Sequence, residues 1–175
     1  LLSGYGIWQY FSKYDSPKEV YEENFQPPAS IMADRAARFA RDTVPVERNE
    51  ACEQLFQAAD KAYIGKDYTE AANVLYDMLG DDMEVCNSDA LFYLGIIGLH
   101  LNEPEITMEC LAKIQDLDRF GEDLYWYQAL AFVKIAAQNP ARKGVARRAV
   151  ERARSNTELP ERRAQAEKML EQLAK

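Results

Sequence analysis

Histidine is nearly absent from this chain: His100 is the only one among 175 residues. One imidazole cannot furnish a multi-histidine metal site or a network of His-based triad partners. Cysteine is sparse too. Cys52, Cys86 and Cys110 make no CxxC pair and no metal-ligand spacing. Each reads as a small buried thiol, and the odd number argues against a complete disulfide framework. Eight Gly and seven Pro leave few sharp turns, which favours helices. No stretch approaches the roughly 18 continuous apolar residues of a membrane span. There is no P-loop, no G-x-G-x-x-G and no G-x-S-x-G. The paired acids of GDDMEV and DLDRFGED fall in inter-helix loops, with no buried partner to tune one for proton transfer. We therefore expect no catalytic residue, no metal and no cofactor.

Charge is abundant but uneven. The formal net charge is -8, yet residues 141–175 carry ten Lys or Arg against five Glu, leaving -13 on the remainder. An acidic body argues against nucleic-acid binding, which needs a basic surface for phosphates. In ARKGVARRAVERA the Arg residues alternate with an Ala/Val stripe, the pattern of a helix with a solvated charged face.

The beginning, LLSGYGIWQYFSKYDS, is rich in aromatics. Trp8, Tyr10, Phe11 and Lys13 are similar to the aromatic and basic flank where a membrane helix meets water. One expectation is that residues 1–15 end a span lying upstream of residue 1; the other is an ordinary helix packed on the domain. Ser16 and Glu19 form S-x-x-E with Pro17 at the first helical position, predicting a short helix over 17–25 stopped by Pro27 and Pro28. The rest of 16–50 reads as a linker with a helical piece near 32–41.

From residue 51 to 153 the sequence repeats at a spacing of 36. Leu55, Leu91 and Tyr127 align, as do Ala58, Leu94 and Leu130, and Ala59, Gly95 and Ala131. In the second half of each unit Ala71 matches Thr107, Leu75 matches Leu111 and Met78 matches Ile114. Small residues at 59/95/131 and 71/107 would let two helix backbones approach closely. Gly65 suits the first helix end, Asn102 and Pro104 mark the second turn, and Asn139 with Pro140 the third. In the third unit a strict shift brings Lys143 and Arg147 inward. One or two extra residues near Gln138 would instead turn Val145, Ala149 and Ala153 to the core. A last helix from Pro160, within 154–175, offers Ala164, Met169, Leu170 and Leu173 to cover the open end.

This pattern resembles the tetratricopeptide repeat (TPR) family, whose helix-turn-helix unit is about 34 residues long. DYTEAANVLYDML is its best stretch, supported by YLGIIGLHL and ALAFVKI. The family's usual Tyr late in the first helix is replaced by Ala62, Gly98 and Lys134. The resemblance implies an all-α, right-handed repeat solenoid whose first helices line a concave groove for a protein or peptide partner. It places Phe56, Asp60, Tyr63 and Ile64 in that groove from the first unit, and Phe92, Tyr93, Ile96, Leu99 and His100 from the second. Gln128 and Phe132, with Tyr125 at the rim, would come from the third. DALFYLGIIGLHL has no Lys, Arg or Asn, so the carboxylate grip of the chaperone-binding members is not expected. The order of aromatic start, capped YEENF helix, proline pair and repeats resembles bacterial membrane-anchored TPR proteins, implying a membrane-associated scaffold on the cell membrane or its periplasmic face. Two alternatives stand beside it: a structural or self-associating module whose own N-terminal segment fills the groove, and a regulatory protein using its basic C-terminal helices.

Overall fold

The computed structural model describes residues 16–40, 49–80 and 84–174, and every regular element among them is helical. The order is α1 (Pro17–Asn24), α2 (Ile31–Phe39), α3 (Glu50–Ile64), α4 (Tyr68–Tyr76), α5 (Glu84–His100), α6 (Pro104–Ala112), α7 (Leu117–Gln138), α8 (Lys143–Ser155) and α9 (Pro160–Ala174). From α3 onward each helix packs on the next, so α3/α4, α5/α6 and α7/α8 are successive pairs. The all-α expectation holds. The aromatic start at 1–15 lies outside the described residues, and none of the described helices is long and apolar enough to cross a membrane.

Local chemistry accounts for the boundaries. Ser16 accepts from the Glu19 amide while Glu19 returns a bond to the Ser16 amide, the reciprocal cap read from the sequence. Asn49, Asp67 and Asp116 cap α3, α5's predecessor α4 and α7 in the simpler way, each accepting from an amide three residues on. The turns that close α3 and α5 are the same turn. Asp67 N–H reaches Ala62 O at 2.9 Å, and Glu103 N–H reaches Gly98 O at 2.8 Å. Between them Lys66 and Asn102 take φ values of 62° and 64°. These are the left-handed residues of the turn. Gly65, the expected helix-ending glycine, is right-handed with φ -69°, and its neighbour Lys66 bears the strain instead.

Close approach of α5 and α6 follows from the small residues. Thr107 Oγ1 donates to Gly95 O at 2.8 Å, and a Cβ on Gly95 would lie 2.8 Å from Leu111 Cδ2. Ala59 and Ala131, aligned with Gly95 by the repeat, are fully buried.

The third unit departs from the repeat. Its second helix buries Ala146, Val150 and Ala153, whereas Val145 and Ala149 are only half-buried. Thr107 to Ala146 and Leu111 to Val150 are therefore steps of 39, three more than before, and the extra three residues are the 3-10 turn Pro140–Arg142. Asn139 accepts from the Ala141 amide and Pro140 opens that turn, so the cap read from the sequence starts the insertion rather than α8.

Two further expectations are corrected. Cys52 and Cys86, 34 residues apart, are joined in a disulfide between the first turns of α3 and α5, leaving only Cys110 as a free, buried thiol. At a separation of 34 the two cysteines do not align with each other in the 36-residue repeat, so the spacing gave no sign of the pairing. In α9 the buried residues are Ala166, Met169 and Leu173 with Gln172, while Ala164 is exposed and Leu170 half-buried. This helix covers α8, as expected of a closing helix, and also touches α1.

Candidate functional site

The aromatic residues expected to form a groove are mostly covered by the chain's own α1 and α2. Helix α2 lies antiparallel to α3. At its start Asp60, on the third turn of α3, accepts from Ile31 N–H at 2.6 Å and Ser30 Oγ at 3.1 Å. One helical turn later Arg35 meets Glu53 at 3.1 Å. The Asp60 carboxylate thus sits where the open amides and dipole of a helix start favour negative charge.

The two arginines of α2 organise the interior. Arg35 lies 3.6 Å above the Phe56 ring and is held by Glu53 and by Asp89 at 3.5 Å. Arg38 lies 4.2 Å above the Phe92 ring and pairs with Asp34 and with Asp123. Each first helix of the array therefore gives one carboxylate to the arginines of α2: Glu53 from α3, Asp89 from α5 and Asp123 from α7. Arg119 adds a two-pronged bond to Asp89 at 2.9 and 3.0 Å, and Arg162 from α9 reaches Asp123. Stacked guanidinium planes keep their in-plane N–H groups for carboxylates, an arrangement Lys cannot reproduce.

Burial and charge set the protonation here. Burial raises the Asp89 carboxyl above its usual range, and the nearby Arg119 and Arg35 do not fully offset it. Burial also acts to raise Asp123, but Arg38 and Arg162 bring it below the usual range. Tyr93 donates to Asp34 at 2.7 Å and is kept firmly protonated, first by burial and then by that carboxylate.

At the other end, residues 21–28 meet the ends of α3 and α5. Tyr63 donates to Pro28 O at 2.9 Å and lies 3.1 Å from His100 Nε2. With the hydroxyl proton committed to Pro28, Nε2 is the protonated nitrogen that donates to Tyr63. His100 is stacked 4.0 Å from Tyr68 and meets Phe25 edge-on at 5.0 Å. Burial, with Lys134 adding to it, pushes His100 down to about 4, so the ring is neutral at pH 7. Leu99 O receives Tyr21 Oη at 3.2 Å and Lys134 Nζ at 2.7 Å. Ile96 is fully buried beside these groups in sequence, whereas Ile64 is 58% exposed and does not face inward.

Phe56, Asp60, Tyr63, Phe92, Tyr93 and His100 thus meet one continuous segment, but the third unit's residues do not join them. Tyr125, Gln128 and Phe132 line a separate furrow between α7 and α8. On the segment's side α7 presents Asp123, Tyr127 and Lys134 instead. A polar cleft of about 520 Å³ remains between residues 26–38, α7 and the start of α9; Arg38, Asp123, Tyr127 and Arg162 are among its walls. Its charges are already engaged with one another, and among the described residues no group of His, Cys, Asp and Glu could hold a metal ion.

Sequence reading missed Arg35, Arg38, Glu53, Asp89, Asp123, Arg119 and Arg162. A usable signal was present. Glu53 and Asp89 obey the same 36-residue spacing as the core, and each stands three residues before a buried Phe, Phe56 or Phe92. A carboxylate repeating in step with buried positions demands a cationic partner.

Compared with known proteins, the chain matches no family model, no curated protein and no solved structure.

Proposed function

We propose that the chain is a non-enzymatic, TPR-like solenoid that serves as a protein–protein interaction scaffold, with its concave groove filled by its own residues 17–39. The observation that carries this reading is the seating of Arg35 and Arg38 on the Phe56 and Phe92 rings, inside buried ion pairs to Asp89 and Asp123. A groove so filled offers a partner no aromatic anchor points, which moves recruitment to the outer helix faces. Of the alternatives read from the sequence, the self-filled groove is the one these contacts favour.

The membrane-adjacent part of the reading rests on Trp8, Tyr10, Phe11 and Lys13 in the sequence and on the bacterial membrane-anchored proteins it resembles. The Cys52–Cys86 disulfide supports an oxidising compartment, as on the periplasmic side. Fractionation of cells expressing the complete gene product tests this; recovery in the cytosolic fraction with both thiols reduced contradicts it.

Recruitment is tested by placing photo-crosslinking residues at Tyr76 on α4 and Arg147 on α8, both exposed, in the complete protein in cells. Partner-sized adducts from at least one position are expected. Adducts from neither would sink the scaffold reading.

A further inference from the structure

We propose that the furrow between α7 and α8 docks an acidic segment of a partner protein that carries an apolar anchor. Its floor is Tyr125, Phe132, Val145 and Ala149, all half-buried, and its rim is Arg148 and Arg152. The furrow encloses about 200 Å³, the scale of one or two apolar side chains. Arg152 is held 4.5 Å above the Tyr125 ring, so its guanidinium is oriented along the edge of the furrow. A second depression, lined by Gly144, Arg147, Arg148, Glu151 and Leu170, continues the surface across α8 toward α9, with Glu151 paired to Arg154.

Charge complementarity names the occupant. Arg35, Arg38, Arg119 and Arg162 all have carboxylate partners. Arg147, Arg148 and Arg152 have none among the described residues. Residues 142–154 hold six Lys or Arg and one Glu, a balance of +5 within a chain of -8. Exposed like charges on successive turns of one helix repel each other, a cost that an acidic partner removes. An anionic bilayer or a nucleic acid fits less well. Either would meet the acidic remainder of the chain, and a concave apolar floor has no use against a plane of phosphates. This inference does not depend on how the inner groove is occupied.

The test is fluorescence anisotropy with the whole chain and a labelled amphipathic helical peptide, Leu and Phe on one face and Glu on the other. The same peptide with Lys for Glu is the control. The expected result is saturable binding of the acidic peptide that weakens with salt and falls about tenfold in Arg148→Glu. The same loss is expected in Phe132→Ser, while Arg148→Glu, at an exposed position, keeps the test valid should Phe132→Ser fail to fold. Equal binding by Arg148→Glu, no binding of the acidic peptide, or equal binding of the Lys peptide would overturn the proposal. Two other outcomes overturn it by naming another occupant. Binding of phosphatidylserine vesicles but not the peptide, lost in Arg148→Glu, assigns the surface to a membrane. A dimer of the chain alone, dissociated by Arg148→Glu in sedimentation, assigns it to a second copy.

Discussion

Arg38 and Asp123 are 85 residues apart in sequence and joined by a buried ion pair across the inner face, with Asp34 on Arg38 and Arg162 on Asp123 extending it at both ends. Two carboxylates and two guanidinium groups from α2, α7 and α9 thus form one chain of contacts. Removing one member of a buried pair leaves the other desolvated and unpaired, a loss of about 3–5 kcal/mol. Arg162 still serves Asp123, so Arg38→Met is expected to cost about 3 kcal/mol, at the low end of that range. Arg38→Lys should also destabilise, since an ammonium cannot both stack on Phe92 and pair in plane. Urea unfolding of both variants checks this; wild-type stability in Arg38→Met would show that α2 contributes little to the fold.

The disulfide closes a 34-residue separation between the first turns of α3 and α5. Loop-closure entropy assigns such a link about 3–4 kcal/mol. Thermal unfolding with and without a thiol reductant should show a clear drop in Tm, and Cys52→Ser/Cys86→Ser should match the reduced protein. Identical melting in all three would contradict the link's role.

At Lys66 a side chain occupies left-handed backbone, φ 62°, that glycine adopts freely. Lys66→Gly is expected to stabilise by about 1 kcal/mol. Asn102→Gly should gain less, because Asn tolerates this region better. Chemical denaturation distinguishes the two, and a loss of stability in Lys66→Gly would contradict the assigned turn.

Gly98 packs too closely for any side chain. An added Cβ would lie 2.8 Å from Thr107 Oγ1, which is tied to Gly95 O, and 3.1 Å from the backbone atoms Glu103 O and Thr107 N. Gly98→Ala should cost about 1–3 kcal/mol through overpacking. Gly144→Ala, whose nearest neighbour would be Arg148 Nη1 at 3.9 Å, should be neutral or stabilising. Comparable losses in both would refute the close crossing.

His100 makes stability pH-dependent. The folded ring titrates near about 4, whereas an unfolded chain's histidine titrates at about 6.5. Below the latter value the unfolded state takes up a proton that the folded state refuses. Stability should therefore fall as pH drops from about 6.5 toward about 4, and this contribution then levels off. With the ring only half-buried, the loss is on the order of 1–2 kcal/mol after solvent screening. The difference between wild type and His100→Gln, followed by urea unfolding across that window, isolates it; a pH-independent difference would contradict it.

Much of the architecture was written in the spacing. Apolar and small residues recurring at 36 located both helix pairs of the first two units, and Ser16-x-x-Glu19 located the first helix. The helix of α2 was legible as the helical piece near 32–41, but its burial escaped, because the face it turns inward carries Arg35 and Arg38, which read as solvated charge. Its burial depends on carboxylates from three distant helices, which hydropathy does not register. The third unit's groove residues were misplaced for a geometric reason. The carboxylate that α7 turns to α2 is Asp123, 34 residues after Asp89 rather than 36, and Tyr125, Gln128 and Phe132 lie on the α8 side. The three-residue turn at Pro140–Arg142 then resets the register of α8.

The self-filled groove is the centre of this account, and cutting the chain tests it most directly. A protease site placed between residues 40 and 49 severs the leading segment without crossing the Cys52–Cys86 link. After complete cleavage, the segment ending near residue 40 should co-elute with the repeats in gel filtration and separate only in denaturant. Immediate separation under native conditions would contradict the account and return the aromatic groove to an outside partner.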